Sequence, residues 1–104
     1  MGQLVPIGTT GEFAAGAGRE VTVAGRVLAI FRIGDEFFAL DAICPHAGGP
    51  LAKGAVSGCV VTCPWHGWQF DVSTGQHCLN PRLTQPRYDV HRHGEQLEIE
   101  LPDP

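Results

Sequence analysis

Short stretches of alternating apolar and polar residues follow one another along the chain, separated by glycine, proline, asparagine and aspartate. No stretch keeps a helical period for three turns, whereas β-branched and aromatic residues gather in the short stretches. Alternation with a period of two is typical of strands that bury one face, so the sequence predicts an all-β fold. Near the end of the chain, for example, we expect Leu97 and Ile99 to face the core and Glu98 and Glu100 to face solvent.

The pattern predicts about nine strands and two loops rich in glycine and proline. The strands are expected at residues 4–7, 20–23, 26–33, 37–40, 59–63, 68–72, 76–79, 88–92 and 96–101. Between the second and third strands, Ala24-Gly25 predicts a two-residue hairpin turn in which the glycine adopts a positive φ. The predicted loops cover residues 41–58 and 64–67. Loops held by a rigid sheet often carry a protein's function, so functional residues are expected in these two loops.

Length and charge restrict the class of protein. The chain has 104 residues and a mass of 11.1 kDa, which predicts one domain over residues 1–104. Seven basic residues against eleven acidic ones give a net charge of −4, which opposes binding to nucleic acid or to an anionic membrane. The sequence lacks both an apolar run long enough to cross a bilayer and a secretory leader, so we expect a cytoplasmic protein.

Two cysteines and two histidines form a paired motif. The segment 44–50, called loop one, begins with Cys44-Pro45-His46, and the segment 63–67, called loop two, begins with Cys63-Pro64-Trp65-His66. Cysteines of a cytoplasmic chain are more often metal ligands or buried thiols than disulfides. Each loop offers one thiolate and one imidazole, so the two loops together can hold a single inorganic centre.

Four interpretations of this motif compete. The cysteines and histidines could be unrelated residues, a structural zinc site, a Cys/His catalytic pair, or ligands of a [2Fe–2S] cluster. A zinc site with two cysteines and two histidines usually pairs like with like, and a single catalytic pair would leave the other pair without a role. Mixed ligation of a [2Fe–2S] cluster by two cysteines and two histidines is the arrangement of Rieske centres, and it accounts for both loops.

The sequence resembles the Rieske ferredoxin family over nearly its whole length. The resemblance is carried by residues 44–51, CPHAGGPL, and 63–71, CPWHGWQFD, and by the segments 37–41, 80–81 and 86–88. It implies a Rieske-type antiparallel β-sandwich with a small cluster-binding subdomain, about residues 41–80, built from two loops rich in glycine and proline. It also implies one [2Fe–2S] cluster. The implied ligands are Cys44 and Cys63 for the inner iron and His46 and His66 for the outer iron.

The resemblance further implies a low reduction potential. High-potential members of the family carry a disulfide and two hydroxyl donors near the cluster. The matching positions here are Gly49, Trp65, Trp68 and Phe70, which supply neither. Fewer donors leave the cluster sulfur more electron-rich, so we expect a potential in the lower part of the range known for Rieske centres.

These features favour an electron-transfer protein with no catalytic site of its own. The resemblance implies a soluble ferredoxin that carries single electrons from a flavin-dependent reductase to a terminal oxygenase. An alternative is the small [2Fe–2S] subunit of an assimilatory NAD(P)H nitrite reductase, and a redox or iron sensor is a third. The expected partners are redox proteins, with no nucleic acid or membrane, and we expect the isolated protein to be a monomer.

Several other residues near the motif are predicted to have structural roles. Cys59 is expected to be a buried free thiol, because it alternates with apolar residues on its predicted strand. His77 is expected at the surface, beside a turn. Trp65 and Trp68 are expected to shield the cluster and to pack beneath loop two.

Overall fold

The computed structural model of the chain describes residues 2–43, 49–65, 67–80 and 82–102. Within these ranges the chain forms ten β-strands and two 3₁₀ turns, Thr10–Glu12 and Leu51–Lys53. The strands are β1 Gln3–Thr9, β2 Ala17–Val23, β3 Arg26–Ile33, β4 Glu36–Asp41, β5 Ala55–Ser57, β6 Val60–Thr62, β7 Gln69–Asp71, β8 Arg87–Tyr88, β9 Val90–His93 and β10 Gln96–Leu101. No helix in the described part of the chain is long and apolar enough to cross a membrane.

The strands build three small sheets. Their strand orders are β1-β10-β9, β2-β3-β4-β8 and β5-β6-β7, and neighbouring strands in each order run antiparallel. The predicted all-β, antiparallel fold is thus confirmed. Cys63 comes directly after β6, so the third sheet is the element that presents loop two.

Strand β3 is buried on both faces and separates two apolar cores. Its successive side chains point to opposite sides, so Leu28 and Ile30 enter one core and Ala29 and Phe31 the other. The loop-side core consists of Ala29, Phe31, Leu40, Ala42, Leu51, Ala52, Val61, Cys63, Phe70 and Val72. The hairpin-side core consists of Phe13, Val23, Leu28, Ile30, Ala39, Tyr88, Leu97, Ile99 and Leu101. The first sheet therefore packs on one face of the second sheet, and the third sheet packs on the other.

Parts of the predicted strand pattern are wrong. The single strand predicted over residues 88–92 is two strands, β8 in the second sheet and β9 in the first. Strand β5 lies inside the segment 41–58, which the pattern predicts as a loop. It has three residues and one partly buried side chain, Val56, so it is too short for an alternation to be recognised. Residues 76–79 make isolated bridges instead of the predicted strand. The single domain over residues 1–104 and its subdomain at about 41–80 stay predictions.

The turn between β2 and β3 contains two successive residues with positive φ. Gly25 has a φ of 79°, as the sequence predicts, and Ala24 has a φ of 50°. Two such residues mark the type I′ turn, which matches the twist of a hairpin and favours Asn-Gly. In the described part of the chain, Ala24 is the one residue other than glycine with a positive φ. An alanine therefore occupies a strained position that suits asparagine.

Replacing Ala24 with asparagine is expected to raise the free energy of unfolding by about 1 kcal/mol. Asparagine tolerates the left-handed conformation better than alanine, because its short polar side chain can hydrogen-bond to nearby backbone. Urea unfolding followed by circular dichroism measures the change. Ala14→Asn is the control, since Ala14 is also exposed but has an ordinary φ. Equal stability of Ala24→Asn and wild type would contradict this account of the turn.

Candidate metal centre

The structure describes one of the four predicted ligands. Cys63 is described, whereas Cys44, His46 and His66 lie outside the described residues. Among the residues that are described, no group of three or more histidine, cysteine, aspartate or glutamate side chains could hold a metal ion. The set of four ligands therefore stays a prediction.

Cys63 follows β6 and begins loop two. Its side chain belongs to the loop-side core, and the residue is 1% exposed. The Cys63 N–H donates to the Trp68 carbonyl at 2.7 Å, which closes loop two across its base. Gly67 has a φ of 74°, a left-handed conformation that glycine adopts without strain. Loop two is thus a short, closed turn whose first side chain is a sulfur shielded from water.

The two ends of loop one lie side by side. Ile43 and Pro50 form an antiparallel bridge, and the Leu51 N–H donates to the Ala42 carbonyl at 2.8 Å. The chain therefore leaves the second sheet after Asp41, where β4 ends, and at Pro50 it is back beside Ile43. This pairing anchors both ends of the segment that contains the Cys-x-His motif.

Loop one meets loop two at Gly49. A methyl group added to Gly49 would lie 2.8 Å from the Cys63 sulfur and 2.9 Å from Cγ of Trp65. Side-chain carbons essentially never come that close to other atoms, so this contact requires glycine. The backbone at the end of loop one therefore rests directly against the sulfur of loop two, which brings the two loops together at this ligand.

The described residues fit a [2Fe–2S] cluster. Cys63 offers a buried sulfur, the ligand type that iron–sulfur clusters take. The absence of a side chain at Gly49 allows the backbone to approach that sulfur, and hydrogen bonds from backbone N–H groups tune the reduction potential of a cluster. Cys59 and Cys78 are exposed free thiols by comparison.

A third loop adjoins the other two. It comprises residues 76–80 and 82–85, while Pro81 lies outside the described residues. The His77 N–H donates to the Leu83 carbonyl at 2.9 Å and closes the loop. The Cys78 N–H donates to the Gln69 carbonyl, also at 2.9 Å, and joins the loop to β7. The sequence does not point to the buried polar residues of this loop, His77 and Gln85, because neither lies in a periodic pattern.

The structure corrects the predictions for His77 and Cys59. His77 is 7% exposed, and its ring packs edge-on against Trp68 and Phe70, with centroid distances of 4.7 and 5.3 Å. It is buried because the third loop folds back over these two rings. Cys59 is exposed because it lies in the turn after Gly58, whose φ is 57°, and not in strand β6.

The two tryptophans differ in burial. Trp68 is partly buried against the loop-side core, and its ring centroid lies 6.3 Å from that of Phe70. This agrees with the expected packing beneath loop two. Trp65 lies beside Gly49 and is 51% exposed, because it stands at the tip of loop two. The prediction that Trp65 also packs beneath the loop is wrong.

A polar network fixes Asp41, the last residue before the chain turns toward loop one. The Tyr88 hydroxyl donates to Asp41 Oδ1 at 2.7 Å and accepts from Arg26 Nη1 at 3.2 Å. Burial raises the pKa of Tyr88, and the hydrogen bond to the Asp41 carboxylate raises it further. Tyr88 therefore stays protonated at neutral pH and keeps donating to Asp41.

Comparison with known proteins identifies the family. The family model of the Rieske [2Fe-2S] domain matches residues 3–97. The ferredoxin component of the naphthalene 1,2-dioxygenase system of Pseudomonas aeruginosa is 35% identical over 83 residues, which cover 78% of this chain and 79% of that protein. Ferredoxin CarAc of Metapseudomonas resinovorans is 39% identical over 59 residues, which cover 57% of this chain and 55% of CarAc.

Solved structures agree with this assignment. The ferredoxin of carbazole 1,9a-dioxygenase from Nocardioides aromaticivorans IC177 has a TM-score of 0.87 at 28% identity, covering 97% of this chain and 99% of that one. A protein described as an NADH-dependent nitrite reductase small subunit, from Mycobacterium tuberculosis, has a TM-score of 0.91. It is 20% identical, with 99% of this chain and 98% of that one covered, and this likeness shows the fold alone. The chain belongs to the Rieske [2Fe–2S] domain family, whose cofactor is a [2Fe–2S] cluster.

Proposed function

We propose that this protein is a Rieske ferredoxin that carries single electrons from a flavin-dependent reductase to a terminal oxygenase, as a diffusible carrier in the cytoplasm. The observation that carries the proposal is the 35% identity to a dioxygenase ferredoxin component over 78% of this chain and 79% of that protein. A match of this extent includes the sheets as well as the two motif-bearing loops. It therefore supports a ferredoxin of the same kind more strongly than a shared cluster motif would.

The proposed ligands are Cys44 and Cys63 on one iron and His46 and His66 on the other. The burial of Cys63 and its closeness to Gly49 support this assignment, because they bring the end of loop one against a ligand of loop two. When bound, the cluster accepts and releases one electron at a time. The task of the chain is to hold it, to exclude water from the inner sulfur ligands, and to present it to a partner.

The surface around the loops suits a protein partner. Of the six large apolar side chains that are exposed in the described residues, four lie on or beside the three loops. They are Ile43, Trp65, Leu79 and Leu83. Leu79 is 88% exposed. Contact between an apolar side chain and water is unfavourable, and a protein that covers Leu79 would remove this contact. We infer that this apolar surface is where the reductase and the oxygenase dock in turn.

The small subunit of a nitrite reductase is the second candidate. The Mycobacterium tuberculosis protein has the same fold, and a fold of this kind serves either role. At 20% identity it gives no support beyond the fold, whereas the dioxygenase ferredoxin component is 35% identical. The carrier is therefore the function that the comparisons favour.

Purification under anaerobic conditions, followed by a reconstituted assay, tests the proposal. Iron and sulfide analysis with electron paramagnetic resonance (EPR) should give a cluster with mixed cysteine and histidine ligation. A flavin reductase and a ring-hydroxylating oxygenase, each purified, should turn over an aromatic substrate when this protein is added and not without it. A colourless zinc protein would overturn the proposal, and so would stable co-purification with a sirohaem nitrite reductase.

We expect the reduction potential to lie in the lower half of the range of about −150 to +300 mV known for Rieske centres. Phe70 is buried in the loop-side core and has no hydroxyl to donate to the cluster, and Trp68 beside it has none either. Protein-film voltammetry on the purified protein measures the potential. A value in the upper half of the range would contradict the inference from these two side chains.

A further inference from the structure

Two buried polar side chains, Gln85 and His77, join the third loop to the regions that carry loop one and loop two. Gln85 is 3% exposed and His77 is 7% exposed, whereas Leu79 between them is almost fully exposed. We infer that Gln85 and His77 are positioning residues, which hold loop one and loop two at the spacing that the cluster needs. This inference rests on the proposed function, because it assumes that the two loops share one cluster.

Gln85 fixes the start of loop one. Its side-chain amide donates to the Asp41 carbonyl and to the Ile43 carbonyl, at 2.7 Å each. A primary amide has two N–H groups, so both are used on this one stretch of backbone. Ile43 directly precedes the predicted ligand Cys44, and no residue lies between the second contact and that ligand.

His77 supports loop two. Its Nδ1 atom accepts the N–H groups of Leu79 and Asn80, at 3.1 and 3.2 Å, so Nδ1 carries no proton. These bonds shape the third loop around the ring, and the ring packs edge-on against Trp68. The Trp68 carbonyl in turn accepts from the Cys63 N–H. His77 therefore packs against the residue that closes loop two over its sulfur ligand.

The third loop thus connects loop one to loop two without contributing a predicted ligand. Gln85 lies at its end and bonds to Ile43, the residue before loop one, while His77 lies near its start and packs against Trp68, the residue after loop two. Loss of either side chain should loosen one of the two loops while the hairpin-side core, which contains neither residue, stays folded. Groups that orient metal ligands from behind typically change metal affinity or activity by about 10- to 100-fold when they are replaced.

The test compares the rate of iron release from holoprotein variants to a ferrous chelator under anaerobic, reducing conditions. Gln85→Met removes both donors at nearly the same length, and His77→Phe keeps a ring but removes the acceptor. Each is expected to release iron about tenfold faster than wild type and to have a shifted EPR spectrum. Gln96→Met and His93→Phe are the controls, since both residues are exposed on the β9–β10 hairpin. The controls should match wild type.

Further measurements separate positioning from general stability. His77→Asn keeps an acceptor but removes the ring, so it should also release iron faster, and it replaces His77→Phe if that variant does not fold. Circular dichroism on each variant should show an intact sheet signal while iron is lost. Release at the wild-type rate, or release that merely follows unfolding of the sheets, would overturn the inference. The readout needs no redox partner, so failure of electron transfer to an oxygenase would count against the proposed function alone.

Discussion

Replacing Cys63 with serine is expected to abolish cluster binding while the sheets stay folded. The predicted inner-iron ligand becomes a hydroxyl, which is a poor ligand for iron in a sulfide-bridged cluster because it is harder than a thiolate. The side chain is buried in the loop-side core, so water has little access to replace the lost ligand. Iron and sulfide content should fall by more than about tenfold, and the EPR signal of the reduced protein should disappear.

The chain contains its own controls for this experiment. Cys59→Ser and Cys78→Ser change the same atoms at exposed positions, and both variants should keep wild-type iron, sulfide and EPR spectra. Circular dichroism on all three variants separates loss of the cluster from loss of the fold. A Cys63→Ser protein with full iron content would remove Cys63 from the ligand set. Loss of iron in Cys78→Ser would place a ligand on the third loop.

A methyl group at Gly49 is expected to impair cluster binding almost as strongly. In Gly49→Ala the new carbon would lie 2.8 Å from the Cys63 sulfur and 2.9 Å from Cγ of Trp65, so one loop has to move away from the other. Overpacking of this kind typically costs about 1–3 kcal/mol of stability. Because a shift of the loops also moves Cys63, we expect affinity for the cluster to fall by about 10- to 100-fold.

Gly11→Ala is the matched control for the substitution at Gly49. A carbon added at Gly11 would meet no atom within 4 Å, and Gly11 has no positive φ that would strain an alanine. Iron release to a chelator and thermal unfolding, measured on both variants, separate the crowding at loop one from a general effect of losing a glycine. If Gly49→Ala held its cluster as tightly as Gly11→Ala, the close approach of the two loops would not matter for binding.

The sequence predicts the strands that have a strong local pattern. The bounds of β3 and β10 agree with the prediction, since a continuous apolar run or a regular alternation ends at a clear turn in each case. Strand β5 is different, because three residues with one partly buried side chain do not make a pattern. Its position follows from pairing with β6, which a local analysis does not see.

The candidate site likewise has one part that the sequence predicts and another part that it does not. The motif in loop one and loop two can be recognised because each cysteine and its histidine are near neighbours in sequence. The groups that support the loops act over long distances in the chain, as in the contact from Gln85 to Asp41. The burial of His77 likewise depends on rings that follow loop two. No periodic sequence pattern marks Gln85 or His77, so their supporting roles can be recognised only from the three-dimensional structure.

Strand β3 has one core on each side, and this arrangement separates the residues that stabilise the fold from those that a partner could contact. Leu28 and Ile30 belong to the core that joins the first two sheets, while the exposed apolar side chains of the loops belong to neither core. Substitutions at Trp65 or Leu79 would therefore change the proposed docking surface with little change in the free energy of folding. The loop surface of this chain can therefore be redesigned for a different partner without rebuilding the two cores beneath it.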